Sequence, residues 1–349
     1  MRIEIKDKKK FISMFNKLHK HNKINKINGI SIDSRKIIKD DIYFPIKGNN
    51  FDGHNFIDES LSNGASVCFS ENNMNHKKII ETKSVLDEII KLCKEWKKIS
   101  NTKIIAITGS NGKTTTKDLL YHILKNQFTC SRTIGNFNSS IGMPITFLST
   151  SMNDEYCILE YGASKPNEIK FLCNIISPDF SYITNISSAH IKNFKSIDEI
   201  YSTKTYLFES TDINGTSFIN ADNISMNNKK IKSKVVSFGY SNKADFNAKI
   251  VKKNNEYYLS INNKCIFIPR ELLHIKDLIL ASCIISQHLN TNIEVIKNSI
   301  KSFNLPPGRG NIINFNHYKI IDDSYNANPA SVELAIKRIN NIKIEGKKI

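Results

Sequence analysis

A loop with the residue types needed to hold phosphate lies in the segment "IIAITGSNGKTTT" (104–116). Gly109 and Gly112 permit backbone conformations that turn several N–H groups toward one point. A helix that starts near Lys113 adds its positive N-terminal end, and Lys113 adds a mobile charge. The hydroxyl of Thr114 or Thr115 can ligate Mg²⁺. The segment predicts a nucleotide loop with two residues, instead of the usual four, between its glycines; the alternative is a glycine turn capped by threonine.

Three more side chains could do chemistry near this loop, although each also has an ordinary explanation. Glu160 ends the apolar strand "YCILE", where a carboxylate is costly unless it meets a metal ion, but it could equally be a strand-end charge. His190 follows "ITNISSA", although a single histidine is usually structural. The spacing of Lys204 alone favours a solvated helix lysine.

The elements around these residues alternate between strands and helices. The strand candidates are "YCILEYG", "FSYITNI", "TSFIN" and "KVVSFG", with helices between several of them. This alternation predicts an α/β fold with a mostly parallel sheet. Apolar residues at helical spacing in "SVLDEIIKLCKEWKKIS" predict a helix that leads into the phosphate-loop domain. The segment "PPGRG" predicts a second boundary.

Length and charge restrict the class of protein. A chain of 349 residues, of which 40% are hydrophobic, is long enough for two or three domains with buried cores. A net charge of +17 could indicate nucleic-acid binding, but the lysines are spread along the whole chain, which favours an ordinary lysine-rich surface. Since no segment resembles an RNA- or DNA-reading motif, we expect no nucleic-acid partner.

Cysteine usage and the N-terminus favour a cytoplasmic protein. The seven cysteines occur singly and without a C-x-x-C pair, which is typical of free thiols in a reducing compartment. The N-terminal segment "MRIEIKDKKKFISMF" carries charges where a signal peptide needs its apolar stretch. No apolar run approaches the length of a membrane span.

Six segments, in this order along the chain, resemble motifs of the Mur ligase family, whose members join an amino acid or peptide to a carboxylate through an acyl phosphate. The segments are "TGSNGKTT", "TIGNFNSSIGMP", "ILEYGASKPNEI", "ITNISSAHIKNFKSIDEIYSTKTYLF", "PPGR" and "DDSYNANPAS". The resemblance implies a three-domain α/β architecture. The expected domains are a UDP-sugar-binding domain (1–98), a central P-loop-type ATP-binding domain (99–305) and the start of a Rossmann-like domain (306–349), which is truncated relative to the family.

Two features of the resemblance point to one activity within the family. The segment "DSR…FPIKGNNFDGHNFI" resembles the UDP-sugar domain of the two later peptide-adding ligases, and "TIGNFNSSIG" and "DDSYNANP" resemble the ligase that adds D-alanyl-D-alanine. The implied reaction is the ATP-dependent joining of D-Ala-D-Ala to UDP-MurNAc-tripeptide in peptidoglycan precursor synthesis, by a monomer. The alternatives are the preceding tripeptide-forming ligase and a degraded, non-catalytic UDP-sugar or nucleotide binder.

The resemblance also implies roles for individual residues. Lys113, His190, Lys204 and Arg309 are the implied catalytic residues, and Lys204 is expected to react with CO₂ and form a carbamate. The implied ligands of Mg²⁺ are Thr114, Glu160, His190 and Lys204. ATP is expected to contact Gly109, Ser110, Asn111, Gly112, Lys113, Thr114, Thr115, Asn136, Asn138, Asp323, Tyr325, Asn326 and Asn328. The UDP-sugar is expected to contact Ser34, Arg35, Asp52, Gly53 and His54, for which turn formation is the alternative explanation.

The chain departs from the family pattern at several places. Lys192 replaces an acidic residue, and Ser139 replaces the second asparagine of an N-x-N-N pattern. Ile275 and Leu278 replace the asparagines of a G-x-H-N-x-x-N helix that supplies an adenine-binding asparagine. With the third domain also truncated, we expect the 349-residue chain to bind UDP-MurNAc-tripeptide, to bind ATP weakly and to form little or no amide.

Overall fold

Residues 1–188, 191–223, 230–241 and 244–341 are described by a computed structural model. They form two compact units that are interleaved along the chain. The first unit comprises Met1–Lys103, Thr133–Cys157 and Asn174–Ile176, and the second comprises Ile104–Arg132, Ile158–Cys173 and Ser177–Ile349. The bounds of the three domains expected from the sequence stay a prediction.

The first unit is built on a sheet of five strands in the order β1-β2-β3-β4-β5. The elements of its N-terminal part are β1 (Arg2–Glu4), α1 (Lys8–Leu18), β2 (Gly29–Ser31), β3 (Ile42–Tyr43), α2 (Ile57–Ser62), β4 (Val67–Ser70), β5 (Ile79–Glu81) and α3 (Val85–Ile99). Strands β2 to β5 run parallel, and β1 pairs antiparallel with β2. The carboxyl ends of these parallel strands therefore share one edge, where loops bearing polar residues emerge.

Helix α3 confirms the helix predicted before the phosphate loop. Ser84 caps it by accepting a hydrogen bond from the backbone N–H of Asp87, which satisfies a donor that has no acceptor within the helix. The indole Nε1 of Trp96, on the buried face of α3, donates to Thr150 Oγ1 at 3.2 Å. The apolar stripe read from the sequence is thus the face that packs into the core of the first unit.

The rest of the chain begins with the strand that carries the phosphate loop. Its elements are β6 (Lys103–Thr108), α4 (Lys113–Leu124), β7 (Cys130–Arg132), α5 (Gly142–Leu148, within the first unit), β8 (Tyr156–Glu160), α6 (Glu168–Ile175), β9 (Phe180–Ile183), α7 (Ile197–Glu209), β10 (Thr216–Asn220), β11 (Lys234–Gly239), β12 (Phe246–Lys253), β13 (Glu256–Ile261), β14 (Lys264–Ile268), α8 (Lys276–His288), α9 (Ile293–Ser302), β15 (Asn311–Asn314), β16 (Lys319–Asp322) and α10 (Pro329–Asn341).

A sheet of nine strands organises the second unit, in the order β14-β13-β12-β11-β10-β9-β6-β8-β7. The pairs β6–β9, β9–β10, β10–β11 and β11–β12 are parallel, which confirms the predicted mostly parallel α/β sheet. All residues of β6 after Lys103 are buried, as expected for a central strand covered on both faces. Helices α4 and α8 pack together, and α4 follows directly after the phosphate loop.

The strand candidates read from the sequence correspond to β8, β9, β10 and β11. The sequence reading did not identify the antiparallel strands β12, β13 and β14 at the sheet edge. Their turns use paired asparagines with positive φ, such as Asn254 at 49° and Asn255 at 63°, because asparagine tolerates the left-handed region. No helix in the described ranges is long and apolar enough to cross a membrane.

Candidate active site

The phosphate loop occupies residues 109–112, between the end of β6 and the start of α4. Gly109 has φ 145° and Gly112 has φ 82°, a region that side chains with a Cβ rarely adopt. A Cβ at Gly109 would overlap Thr184 Oγ1, and one at Gly112 would lie 3.0 Å from Leu278 Cδ1. Both glycines are therefore required by the fold of the loop as well as by its backbone angles.

Residues that follow β9 hold the loop in place. Ser110 N–H donates to Asn185 O at 2.9 Å, and Asn111 N–H donates to Asn185 Oδ1 at 3.1 Å. Ser187 N–H donates to Ser110 Oγ at 2.9 Å. The amides of Ser110 and Asn111 thus bond within the protein, and the N–H groups in the first turn of α4 are the ones for which the helix itself provides no acceptor.

Asn185 and Thr184 are also part of this site, although they were not among the site residues predicted from the sequence. Thr184 Oγ1 donates to Asn111 O, and Asn185 Nδ2 donates to the same oxygen at 3.0 Å. Their signal in the sequence is a pair of polar residues directly after the apolar strand β9. In a parallel sheet the carboxyl ends of neighbouring strands meet at the same edge, so this pair could have been assigned to the loop after β6.

Lys113 folds back over the loop. Its Nζ donates to Gly109 O at 2.9 Å and to Ser110 O at 3.1 Å. Burial lowers the pKa of Lys113, while the charge of Glu160 raises it. A cation held by two backbone carbonyls in a buried position gains a stronger partner when an anion reaches the loop.

Thr114, Glu160 and Arg309 meet beside the first turn of α4. Glu160 lies at the end of β8 with 2% of its surface exposed, and it accepts a hydrogen bond from Thr114 Oγ1 at 2.9 Å. Arg309 Nη2 donates to the same Thr114 oxygen at 3.3 Å. These three residues lie up to 195 positions apart in the sequence, and the fold brings them into one cluster. Thr115 is buried on the next position of the helix.

The oxygens of this cluster fit a magnesium ion that is bound together with a nucleotide. Mg²⁺ prefers oxygen donors and is usually held by one or two protein groups, with water and phosphate oxygens completing its shell. Thr114 Oγ1 and Glu160 Oε2 are adjacent oxygens of that kind. Within the described residues no group of three or more His, Cys, Asp and Glu side chains could hold a metal.

Lys204 is buried beside the loop. Only 1% of its surface is exposed, and its Nζ donates to Gly109 O at 3.1 Å, the carbonyl that also accepts from Lys113. Burial, and then the neighbouring charge of Lys113, lowers the pKa of Lys204 to about 7, against an opposing effect of Glu168. The solvated helix lysine that spacing alone favoured is therefore wrong. His190, its expected partner, lies outside the described residues, and Lys192 is exposed on the short helix Ile191–Asn193.

The C-terminal segment of the second unit contacts the loop through Asn328, and Arg309 of the same segment reaches Thr114 at the start of α4. The Asn328 and Asn111 side-chain amides form a reciprocal pair, with Asn328 Nδ2 donating at 2.6 Å. The Arg309 guanidinium lies over the Tyr325 ring at 3.7 Å from its centroid. Burial raises the pKa of Asp323, and the Asn326 side chain accepts from the N–H of Ala327.

The first unit holds the residues expected to bind the UDP-sugar at the carboxyl edge of its parallel strands. Asp33 accepts two hydrogen bonds from the Arg35 guanidinium, at 2.9 and 3.1 Å, and Ser34 starts the same turn. Asp52 accepts from His54 N–H at 2.9 Å, and its carboxylate lies 2.7 Å from His54 Nδ1.

A close backbone approach fixes one of these turns. A Cβ at Gly53 would lie 2.8 Å from Ile46 N, so a side chain there would displace the turn that carries His54.

Asn136 and Asn138 also lie in the first unit, in the turn that precedes α5, where Asn138 N–H donates to Asn136 O at 2.8 Å. Ser139 Oγ accepts from Gly142 N–H at 3.3 Å.

Comparison with known proteins gives consistent matches along most of the chain. Residues 26–107 match the Mur ligase family catalytic domain, and residues 107–277 match the Mur ligase middle domain. A curated relative from Buchnera aphidicola subsp. Baizongia pistaciae, named UDP-N-acetylmuramoyl-tripeptide–D-alanyl-D-alanine ligase, is 33% identical over 328 residues. The match covers 90% of this chain and 71% of the relative.

Solved structures of similar fold carry the same enzyme name. A crystal structure of MurF from Acinetobacter baumannii matches with a TM-score of 0.85 at 24% identity, covering 95% of this chain and 76% of the other. The structure of a MurF ligase from Thermotoga maritima in complex with ADP matches with a TM-score of 0.81 at 27% identity, covering 90% of this chain and 75% of the other.

Proposed function

This chain belongs to the Mur ligase family, and from that premise we propose that it joins D-alanyl-D-alanine to UDP-MurNAc-tripeptide with ATP as the energy source. The observation that carries the proposal is the cluster at the start of α4, where Thr114, Glu160 and Arg309 meet and the neighbouring Lys113 folds over the phosphate loop. The Buchnera aphidicola relative described above bears the name of this ligase. The reaction serves peptidoglycan precursor synthesis.

The chemistry requires several anions to approach one another. The terminal carboxylate of the tripeptide attacks the γ-phosphorus of ATP, the bond to the β-phosphate oxygen breaks, and ADP leaves. The amine of D-alanyl-D-alanine then attacks the acyl carbon and loses a proton, and phosphate leaves with the carboxylate oxygen. Positioning and positive charge are the main contributions a protein makes to such a transfer.

The residues of the cluster can supply that charge. The side chains of Lys113 and Arg309 provide the positive charges, and Arg309 can donate to two phosphate oxygens at once. Thr114 and Glu160 would hold Mg²⁺, which neutralises charge on the phosphate oxygens when it is bound. We also propose that Lys204, beside this loop, forms a carbamate. A neutral amine is the form that reacts with CO₂, and burial of Lys204 favours the neutral form.

The alternatives predict different results in one assay. Phosphate release is measured with ATP and UDP-MurNAc-tripeptide, with and without D-alanyl-D-alanine. The expected result is release that requires both substrates and is slow, because ATP binding is expected to be weak. The preceding tripeptide-forming ligase would instead require a dipeptide nucleotide and a diamino acid. A non-catalytic binder would release no phosphate under any of these conditions, and that outcome would contradict the proposal. Cytoplasmic location and a monomeric state stay predictions.

Leu278→Asn is expected to tighten ATP binding about tenfold, the effect of one regained hydrogen bond. Leu278 lies beside Gly112 of the loop. It stands at one of the two asparagine positions of the family helix that supplies an adenine-binding asparagine, and we propose that this position faces the base. An apolar side chain cannot bond to the edge of a base, whereas an amide both donates and accepts. Calorimetry with ATP and GTP checks this, since the variant should gain affinity for ATP and not for GTP. Equal gains for both nucleotides would contradict the assignment.

Arg35→Met is expected to weaken binding of UDP-MurNAc-tripeptide by about tenfold. The Arg35 side chain is 83% exposed and is oriented by Asp33, so its remaining N–H groups can reach a diphosphate. Lys36→Met is the matched control, because Lys36 is exposed on the same short turn. Equal affinities of the two variants in a titration with the nucleotide would show that Arg35 has no such role.

A further inference from the structure

The turn that carries Arg309 depends on two glycines. Gly308 has φ 70° and Gly310 has φ 82°, so Arg309 lies between two residues in the left-handed region. Gly310 N–H donates to Asp322 O at 2.7 Å, and Tyr325 N–H donates to Gly308 O at 3.1 Å. These bonds fix the turn to the hairpin β15–β16 and to the segment that follows it.

A second arginine holds the turn from the opposite side of the segment. Arg338, on helix α10, donates from Nη1 to Gly310 O at 2.6 Å. A Cβ at Gly310 would lie 2.5 Å from that Nη1 atom, so the absence of a side chain there makes room for the guanidinium. Arg338 Nη2 also lies 3.5 Å from Glu271 O, in the short helix that precedes α8.

Two ionisable side chains near Arg338, those of His274 and Asp323, are compatible with its positive charge. His274 Nε2 lies 3.1 Å from the position of a Cβ at Gly310. Burial, with a contribution from Arg338, lowers the pKa of His274 to about 4, so the imidazole is neutral at neutral pH and does not repel the guanidinium. The carboxyl of Asp323 interacts with the charges of both Arg338 and Arg309. The Arg338 guanidinium thus links α10, the arginine turn and the short helix that precedes α8.

We propose that Arg338 is a positioning residue that holds Arg309 at the phosphate loop through the carbonyl of Gly310. Arg309 needs this support because its side chain is held only by a stacking contact with Tyr325 and a 3.3 Å hydrogen bond to Thr114 Oγ1 among the described residues, while its backbone N–H donates to Asn311 Oδ1. The carbonyl oxygen of Gly310 belongs to the residue next to Arg309, so a shift of that carbonyl turns the Arg309 side chain away from the loop. The inference rests on the proposed function, in which Arg309 contacts phosphate.

The test is a double-mutant cycle between Arg338 and Arg309. Arg338→Met and Arg309→Met are made singly and together, and ATP-dependent phosphate release is measured along with the melting temperature. Arg338→Lys tests rescue by a cation that can still reach Gly310 O. Lys337→Met is the matched control, because Lys337 is the neighbouring residue on α10 and forms an exposed ion pair with Glu333.

We expect Arg338→Met to lower kcat by about ten- to a hundredfold, since small misplacements of a phosphate-contacting group have effects of that size. KM for UDP-MurNAc-tripeptide should stay unchanged, and Arg338→Lys should restore part of kcat. In the Arg309→Met background, Arg338→Met should cause no further loss, because its effect acts through Arg309.

Three outcomes would overturn the inference. The first is an unchanged kcat in Arg338→Met. The second is an equal fold loss of kcat from Arg338→Met with and without Arg309→Met. The third is a loss of kcat that matches the loss of folded protein in both Arg338→Met and Arg338→Lys. If the unsubstituted chain releases no phosphate with all three substrates, the proposed function itself is refuted, and the inference falls with it. Activity in the unsubstituted chain combined with additive losses refutes the positioning role alone.

Discussion

Lys113→Met is expected to lower ATP-dependent phosphate release by about a thousandfold or more, the size of effect seen when a charge that stabilises phosphoryl transfer is removed. Lys113 is the cation nearest the loop, where its Nζ donates to Gly109 O and Ser110 O. An incoming triphosphate offers these N–H groups charged oxygens in place of neutral carbonyls. No other residue on the first turn of α4 carries a positive charge.

The same variant should fold normally. Burial lowers the pKa of Lys113, which means that the protein surroundings disfavour the charged form, so an apolar side chain of similar length costs little stability. Lys125→Met is the control, since Lys125 is exposed at the other end of α4 and should leave the rate unchanged. Phosphate release near the unsubstituted rate in Lys113→Met would rule out the loop as the ATP site.

Lys204→Ala is expected to abolish turnover, with partial recovery on addition of short carboxylic acids such as acetate. An added carboxylate can replace the carbamate oxygens in the space that the shortened side chain leaves. Lys195→Ala, which changes an exposed lysine just before α7, should keep full activity and show no response to acetate. Loss of activity without any rescue across a series of small acids would count against the carbamate.

The pH dependence of carbamate formation follows from the lowered pKa of Lys204. The amine must be neutral to react with CO₂, and its pKa of about 7 in the folded chain means that the neutral fraction rises as pH increases through 7. In ¹³C-bicarbonate we expect the carbamate carbon signal to grow between about pH 6 and pH 8. The signal should be absent in Lys204→Ala. An unmodified Lys204 throughout this range would contradict the proposal.

Local pattern was sufficient to predict much of the fold. The helix α3 and the strands β8 to β11 follow from periodicity and apolar runs. The glycine–lysine–threonine spacing predicted a loop between β6 and α4, and the loop does lie there. These helices, strands and loops depend on residues that are close together in the sequence, so a single sequence is sufficient to predict them.

Other features depend on contacts between distant parts of the chain. Asn185 fixes the loop from 74 residues away, and Arg338 reaches Gly310 across 28 residues. A lysine such as Lys204 looks solvated by spacing, and its burial follows only from the packing of α7 against β9.

The central claim is that the chain activates a substrate carboxylate as an acyl phosphate, and an isotope experiment tests it most directly. UDP-MurNAc-tripeptide labelled with ¹⁸O in its terminal carboxylate is incubated with the chain, ATP, Mg²⁺ and D-alanyl-D-alanine until phosphate can be analysed by mass spectrometry. Slow turnover is sufficient, since each event labels its own product. The account predicts one ¹⁸O atom in each phosphate released and one amide formed per phosphate. Phosphate that carries no ¹⁸O from the labelled carboxylate would contradict it.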